Sequence, residues 1–269
     1  MSGLVWTDSR SYDLMGTTFG VRSQSGEWSE RVHRLLAPME TNLRARPSNT
    51  FSMGADEGKV NLWLDCRRLL TRTEPSQATV RVIAEANRAA VAATPHFAIH
   101  AGVVGDDDRV VVIAVDSGGG KSTTTAALLQ QGMRYGSDEA LCLDDAGFVV
   151  LYPKPISLSP WSWEALGLSP DGTYTIEAPF TPADLGAEVL ESGRKPTDLI
   201  IPTFTDGKPR LTSIPPSAAV TTLIKLSFNH YKDGARSFRL ATEMAQTIRV
   251  WQLEAGDPVA TAKLIIASL

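Results

Sequence analysis

The unbroken aliphatic run from Val110 to Val115 is the most pronounced hydrophobic feature of the chain. A short continuous apolar run of this kind is typical of a strand that is buried on both faces. Three glycines follow it, and the residues from Lys121 to Gln131 have the composition of a helix that ends at Gly132, where a helix C-cap favours a residue with positive φ. The pattern therefore predicts a buried strand, a glycine loop and a helix, in that order.

The pattern around this unit predicts further strands and helices. A strand is expected over Phe97 to Val104, and Asp144-Asp145-Ala146-Gly147 predicts a hairpin turn between two apolar stretches. The proline-rich residues 153–182 predict a long irregular insert. Later elements are expected as strands at Leu199 to Ile201 and Val250 to Leu253, and as helices at Ser217 to Phe228, Gly234 to Thr247 and Pro258 to Ser268.

The first part of the chain has a different pattern. Residues 1–25 predict a loop with one strand at most. The following elements are a helix over Glu27 to Leu36, a hairpin of Phe51 to Met53 with Val60 to Leu64, a further strand at Leu69 to Arg72, and an amphipathic helix from Gln77 to Ala93. Pro95 ends that helix. We therefore expect a small α+β domain over 1–96 and an α/β domain over 97–269.

Composition narrows the classes of function. The chain has 269 residues, of which 43% are hydrophobic, and a net charge of −4. A mildly acidic chain without basic clusters argues against nucleic acid as a partner. No apolar run approaches the roughly 20 residues of a membrane span, and the N-terminus lacks a secretory pattern, so we expect no membrane partner and a cytoplasmic location. The two cysteines, Cys66 and Cys142, are interpreted as buried thiols in a reducing compartment.

The glycine loop carries the first candidate chemistry. A strand, a glycine loop and a helix that begins with Lys-Ser form the context of a P-loop. Backbone N–H groups of such a loop surround phosphates, the lysine reaches the β- and γ-phosphates, and the serine hydroxyl contacts magnesium. The predicted cofactors are ATP and Mg²⁺, with Lys121 as a catalytic residue as well, and the predicted contacts are Ser117, Gly118, Gly119, Gly120, Lys121, Ser122 and Thr123.

Two adjacent acids and a histidine complete the candidate site. Asp138 and Glu139 follow the helix after a short connection, and phosphoryl transfer needs one group to hold magnesium and another to deprotonate or orient the acceptor. His100 lies on the strand before the P-loop strand. Taken alone, a histidine at such a position is more often a structural core or loop residue than a catalytic one.

These elements, in this order, resemble the bacterial HPr serine kinase/phosphorylase family. The likeness rests on Ile99-His100-Ala101-Gly102, on the loop from Asp116 to Ser122, and on the stretch from Gln131 to Glu139. It is greater for the HPr-kinase-like proteins found beside peptide-maturation enzymes, including those of lasso peptides, which continue with a segment like Tyr152 to Leu158. The resemblance implies a P-loop kinase core, with Asp138 as the base, Glu139 and Ser122 as magnesium contacts, and His100 beside the base.

Two departures from the family pattern keep alternatives open. Val115 stands where the P-loop consensus has its first glycine, and the second acid is Glu139 rather than aspartate. The Glu-x-Arg-Gly-Leu-Gly signature of HPr kinases has no counterpart, which disfavours HPr as the substrate. The expected function is ATP-dependent phosphorylation of a hydroxyl, with a serine of a peptide or protein favoured as the acceptor.

The alternatives are a small-molecule kinase, a non-catalytic nucleotide-binding regulatory module, and an ATPase without a separate acceptor. The sequence leaves the oligomeric state open, a homo-oligomer included.

Overall fold

The computed structural model describes residues 5–42 and 47–269. These residues form two compact units. The first contains the described residues up to Thr94 together with Pro170–Pro179, and the second contains Pro95–Ser169 together with Phe180–Leu269. The predicted boundary at 96/97 lies close to this division. Nothing in the sequence pattern indicated that a segment of the proline-rich insert belongs with the first unit.

The first unit contains a five-stranded sheet with strand order β1-β2-β3-β4-β5. The strands β2 and β3 are parallel and the other neighbours are antiparallel. The strands are β1 (Asp8–Leu14), β2 (Thr17–Ser23), β3 (Asn49–Asp56), β4 (Lys59–Leu64) and β5 (Arg67–Thr73), and the helices are α1 (Gly26–Leu36) and α2 (Pro75–Ala93). The predicted helices, the β3–β4 hairpin and the fifth strand are confirmed.

The prediction for residues 1–25 was wrong in its described part, because this segment forms a two-stranded hairpin; residues 1–4 lie outside the described residues. Its turn is made by Met15 and Gly16 with φ of 55° and 87°. Positive φ at both central residues matches the twist of a two-residue hairpin. A methionine is uncommon at such a position, so the turn had no recognisable sequence signal.

Ion pairs to helix α1 hold the Pro170–Pro179 segment in the first unit. Arg34 Nη2 lies 3.3 Å from Asp171 Oδ2, and Arg31 Nη1 donates to the Asp171 carbonyl at 3.1 Å. Both arginines lie on the same side of α1, three residues apart, which is the spacing of neighbours on a helix surface.

The second unit is built around an eight-stranded mixed sheet with the path β10-β9-β6-β7-β13-β15-β14, and β8 also pairs with β6. The strands β7, β13 and β15 run parallel, whereas β6 is antiparallel to β7. The strands are β6 (Phe97–Gly105), β7 (Val110–Ala114), β8 (Arg134–Ser137), β9 (Ala140–Leu143), β10 (Val149–Val150), β13 (Asp198–Phe204), β14 (Arg210–Ser213) and β15 (Arg249–Ala255).

Helices pack on the two faces of this sheet, so the second unit is α/β. The helix α3 (Lys121–Gln130) packs on β6, β7 and α7 (Pro258–Ser268). The odd-numbered residues Ile99, Ala101 and Val103 of β6 belong to the core that includes α5 (Ser217–Lys225) and α6 (Gly234–Thr247). Because side chains alternate along a strand, His100 and Gly102 face the side where α3 lies.

Several predictions for this unit are confirmed and others need correction. The helices α6 and α7 have the predicted bounds, and α5 ends at Lys225 rather than Phe228. Residues 134–137 form the strand β8, although Met133 to Tyr135 were expected as a short connection, and β14 was not predicted. The insert expected to be irregular contains the strands β11 (Ile156–Leu158) and β12 (Ala178–Phe180) and the helix α4 (Pro160–Ala165). Cys142 is buried as expected, but Cys66 is exposed.

None of the helices in the described part of the chain has the length and apolar content needed to cross a bilayer.

Candidate functional site

The glycine loop connects the end of β7 to the first residue of α3. Gly118 and Gly120 have φ of 82° and 84°, a region that glycine occupies without strain. Gly119 is required for a different reason: a Cβ on it would overlap the Val115 side chain and would lie 3.1 Å from the Asp116 carbonyl oxygen. Val115, the departure from the P-loop consensus, is therefore accommodated by the absence of a side chain at Gly119.

The ammonium of Lys121 is the centre of the site. Its Nζ lies 3.1 Å from Asp138 Oδ1, is hydrogen-bonded to the Asp138 carbonyl oxygen, and lies 3.4 Å from Ser122 Oγ. The side chains of Lys121 and Asp138 are 9% and 2% exposed. Three residues that the sequence analysis selected are thus brought together around one buried cation.

Gly102 makes room for this arrangement. A Cβ at this position would overlap Thr125 Oγ1 on α3 and would lie 3.7 Å from Asp138 Oδ1. Because β6 approaches α3 closely here, the carboxylate of Asp138, which follows β8, lies next to Lys121 at the start of α3. The motif Ile99-His100-Ala101-Gly102 therefore provides two features: its histidine, and a glycine that leaves space for α3 to pack closely against β6.

The oxygen atoms around Lys121 are of the kind that Mg²⁺ prefers. Mg²⁺ takes hydroxyl, carbonyl and carboxylate oxygens, usually with only one or two protein carboxylates and with phosphates and water in the remaining positions. Ser122 Oγ and Asp138 Oδ1 both contact the same ammonium, at 3.4 Å and 3.1 Å from Lys121 Nζ. Within the described residues, no three His, Cys, Asp or Glu side chains form a group that could hold a metal by themselves.

Glu139 is paired with a second buried lysine. Its Oε2 lies 3.6 Å from Lys154 Nζ, and the Lys154 side chain is 5% exposed. The Lys154 ammonium also donates to the Pro155 carbonyl at 3.0 Å, and the Tyr135 hydroxyl donates to the Lys154 carbonyl at 2.7 Å. Each of the two adjacent acids thus has its own buried lysine, and the four charges balance.

Burial dominates the protonation of the Tyr135 hydroxyl, which lies beside these pairs. Burial, reinforced by the negative charge of Asp138, raises the pKa of Tyr135 well above its usual value. The hydroxyl therefore remains a hydrogen-bond donor throughout the physiological pH range and holds the Lys154 backbone in place.

His100 faces this charged cluster from β6. Its backbone N–H donates to the Leu226 carbonyl at 2.8 Å, and its ring lies 5.6 Å from the Phe228 ring, centroid to centroid. Burial lowers the pKa of His100, the positive charge of Lys121 lowers it further, and the acids Glu139 and Asp138 oppose the shift. The imidazole is therefore neutral at pH 7, and it interacts electrostatically with the cluster that the sequence analysis placed it beside.

The two remaining sides of the loop are tied to other elements. Asp116 Oδ2 lies 2.6 Å from Lys225 Nζ at the end of α5, in an exposed ion pair. Thr123 Oγ1 lies 2.8 Å from Ser162 Oγ on α4. Thr123, expected to contact the cofactor, thus has its hydroxyl directed to α4, whereas Ser117 and Gly118 are exposed at the loop tip.

The sequence analysis missed the role of Lys154. It lies in the Tyr152 to Leu158 segment that supported the family resemblance, but nothing in its local pattern distinguishes it from a surface lysine between two prolines. One signal was available in the sequence. Lys154 is flanked by prolines and apolar residues, and such a segment is more typical of the interior than of an exposed charged surface.

No protein-family model matches the chain, and the search of curated proteins gives no match either. The interpretation of the site therefore rests on its residues and their geometry.

Proposed function

We propose that the protein is an ATP-dependent kinase of the P-loop class, similar in its core to HPr kinase, that phosphorylates a hydroxyl, with a serine of a peptide or protein as the favoured acceptor. One observation carries the proposal: the buried ammonium of Lys121, at the start of the helix that follows the glycine loop, contacts both Ser122 Oγ and Asp138 Oδ1. The lysine proposed to bind phosphate thus contacts both the hydroxyl proposed to bind magnesium and the acid proposed as the base.

The glycine loop supports a triphosphate-binding role. Backbone N–H groups in such a loop, at the N-terminus of a helix, favour anions through their dipoles. On binding, the γ-phosphate would compete with Asp138 for the Lys121 ammonium, because phosphate oxygens are strong acceptors for a lysine. The Lys121–Asp138 pair is then the resting state of the site, and nucleotide binding releases the carboxylate.

The proposed protein contacts of a bound magnesium ion are Ser122 Oγ and the carboxylate of Glu139, which in the structure lies 3.6 Å from Lys154 Nζ. When bound, the ion would neutralise charge on the β- and γ-phosphates during transfer. Asp138 Oδ1 contacts the same ammonium as Ser122 Oγ, so Asp138 is the alternative carboxylate for the magnesium contact.

In this proposal, the released Asp138 carboxylate acts as the base. It accepts the proton of the acceptor hydroxyl as the acceptor oxygen bonds to the γ-phosphorus and the bond from that phosphorus to the β,γ-bridging oxygen breaks, which leaves ADP. A positioned base contributes roughly 10²–10⁴-fold to the rate. The neutral imidazole of His100 completes the proposed catalytic set, because a neutral ring can pass on a proton, whereas a protonated one would compete with the acceptor for the carboxylate.

The direct test is nucleotide turnover by the purified chain. The protein is incubated with ATP and Mg²⁺, alone and with serine-containing peptides or small hydroxyl compounds, and ADP and phosphorylated product are measured. Product that requires an acceptor, and that Lys121→Ala abolishes, supports the kinase. ADP formation without an acceptor would indicate an ATPase. Binding of Mg-ATP without any turnover would replace the kinase with a nucleotide-binding regulatory module.

A further inference from the structure

Two aromatic side chains lie exposed and in contact with each other in the second unit. Trp161 and Phe204 are each 52% exposed, and their rings meet edge to face with centroids 6.0 Å apart and an interplanar angle of 88°. Large aromatic side chains are normally buried, so a contacting pair that leaves half of each ring in water marks a place where a flat apolar group can bind.

Hydrogen bonds place Trp161 beside the beginning of α3. Ser162 Oγ lies 2.8 Å from Thr123 Oγ1 near the start of α3, and Gln130 Nε2 at its end donates to the Leu166 carbonyl at 3.1 Å. The helix α4 therefore runs alongside α3 in the same direction. Trp161 precedes Ser162, so it lies at the glycine-loop end of α4.

Phe204 lies at the same edge of the sheet. It is the last residue of β13, which runs parallel to β7 with Ile200 opposite Ile113. The strand β7 ends one residue later, where the glycine loop begins, and β13 continues along that edge to Phe204. In open α/β sheets, ligands bind outside the carboxyl ends of the parallel strands, which is where both the loop and Phe204 lie.

We propose that Trp161, with the Phe204 ring standing at right angles to it, forms a stacking platform for the base of the bound nucleoside triphosphate; this inference rests on the proposed function. The directions of two side chains near the start of α3 support this placement of the base. Lys121, which would contact the γ-phosphate, points to Asp138, whereas Thr123, two residues further along α3, points to α4. A triphosphate with its γ end at Lys121 and its α end towards Thr123 brings the nucleoside to Trp161.

The chemistry of the platform predicts its selectivity. Stacking on an aromatic face accepts every base, because each base has a π-face, and alanine substitution of such a ring weakens binding by roughly 5- to 150-fold. The platform therefore favours a purine over a pyrimidine, through the larger ring area, but discriminates little between ATP and GTP.

The test compares Mg-ATP with magnesium tripolyphosphate, which carries the phosphates without a base, by calorimetry on the full chain. Trp161→Ala should weaken Mg-ATP by roughly 5- to 150-fold and leave tripolyphosphate binding unchanged, and Phe204→Ala should give a smaller loss of the same kind. Phe238→Ala is the matched control, because Phe238 is 60% exposed on α6 and should affect neither ligand. Trp161→Leu keeps an apolar side chain without the ring and covers the case in which Trp161→Ala folds poorly.

The outcomes separate this inference from the proposed function. Equal Mg-ATP affinity in the wild-type chain and in both Trp161 variants would overturn the platform, as would wild-type binding of tripolyphosphate as tight as that of Mg-ATP. In either case the P-loop site would stand, because both ligands still bind. If neither ligand binds the wild-type chain, the proposed function fails and the platform fails with it.

Discussion

Lys121 Nζ and Asp138 Oδ1 are 3.1 Å apart, and the two side chains are buried together between α3 and β6. The contact joins the residue expected to hold the transferred phosphate to the residue expected to act as the base. A buried ion pair adds little stability compared with apolar residues of the same size, but removing one partner leaves an uncompensated charge in the interior. The pair therefore makes the proposed catalysis and the stability of the fold interdependent at this site.

Lys121→Met should lower the free energy of unfolding by about 3–5 kcal/mol, because Asp138 then remains buried without its cation. The double variant Lys121→Met/Asp138→Asn should recover most of that loss, since no charge is left unpaired. Chemical denaturation measures both. Lys225→Met is the control, because its pair with Asp116 is exposed and should be worth at most about 1 kcal/mol. A double variant as unstable as the single one would mean that the two charges do not compensate each other.

Asp138→Asn should keep Mg-nucleotide binding and reduce turnover by roughly 10²–10⁴-fold, because asparagine has the same size but cannot accept the proton. Glu139→Gln should instead weaken the binding of Mg²⁺, seen as a higher magnesium concentration for half-maximal activity. Turnover and calorimetric binding are measured for both variants, with the exposed Asp145→Asn as control. If Asp138→Asn loses Mg-nucleotide affinity and Glu139→Gln loses only turnover, the two acids exchange roles.

The sequence was sufficient for the elements that carry their signal locally. The aliphatic run from Val110 to Val115 predicted β7, and the pattern from Pro258 to Ser268 predicted α7, before which the Asp257 side chain accepts from the Ala260 N–H. The hairpin turn of Met15 and Gly16 was missed, because its first residue has no preference for positive φ.

The pairing of charges in the site could not be predicted from the sequence. The local pattern selected Lys121 and Asp138 separately, but their contact depends on how closely β6 approaches α3, and the clearance at Gly102 sets that approach. Lys154 illustrates the same limit, because its burial depends on packing around Tyr135, far away in the sequence. Charge pairs formed by tertiary packing join residues at no regular spacing along the chain, so the sequence contains no pattern by which such a pair can be recognised.

His100 should give both activity and stability a dependence on mildly acidic pH. Its pKa is lowered by burial and by Lys121, so below about pH 6.5 the unfolded chain takes up a proton that the folded chain resists. Stability attributable to His100 is therefore complete above about pH 6.5 and is lost as the pH falls through the lowered pKa of the folded state. The difference in unfolding free energy between wild type and His100→Gln, measured from pH 7.5 to pH 5, should change over that range.

The rate profile gives an independent readout for His100. Turnover should fall on the acid side as the imidazole takes up its proton, and His100→Ala should flatten that side and reduce turnover less than Asp138→Asn does. In Lys121→Met, NMR titration should show a higher pKa for His100, because a positive charge that opposes its protonation has been removed. An unchanged acid side in His100→Ala, together with lower thermal stability, would leave His100 with a purely structural role.

Val115 and Gly119 should be coupled, because a side chain at one position occupies the space needed by the other. Gly119→Ala should weaken Mg-ATP binding by roughly 5- to 150-fold, the equivalent of a typical overpacking penalty, since the loop must open to separate the new methyl group from Val115. Val115→Gly restores the consensus glycine and removes this overlap, so Val115→Gly/Gly119→Ala should recover most of the lost binding, and the 3.1 Å approach of the new methyl group to the Asp116 carbonyl oxygen accounts for the remainder. Gly118→Ala is the matched control: it has open space but a φ of 82°, so its cost comes from the backbone and Val115→Gly should not relieve it. Normal binding by Gly119→Ala, or rescue of both alanine variants alike, would show that Val115 does not set the shape of the loop.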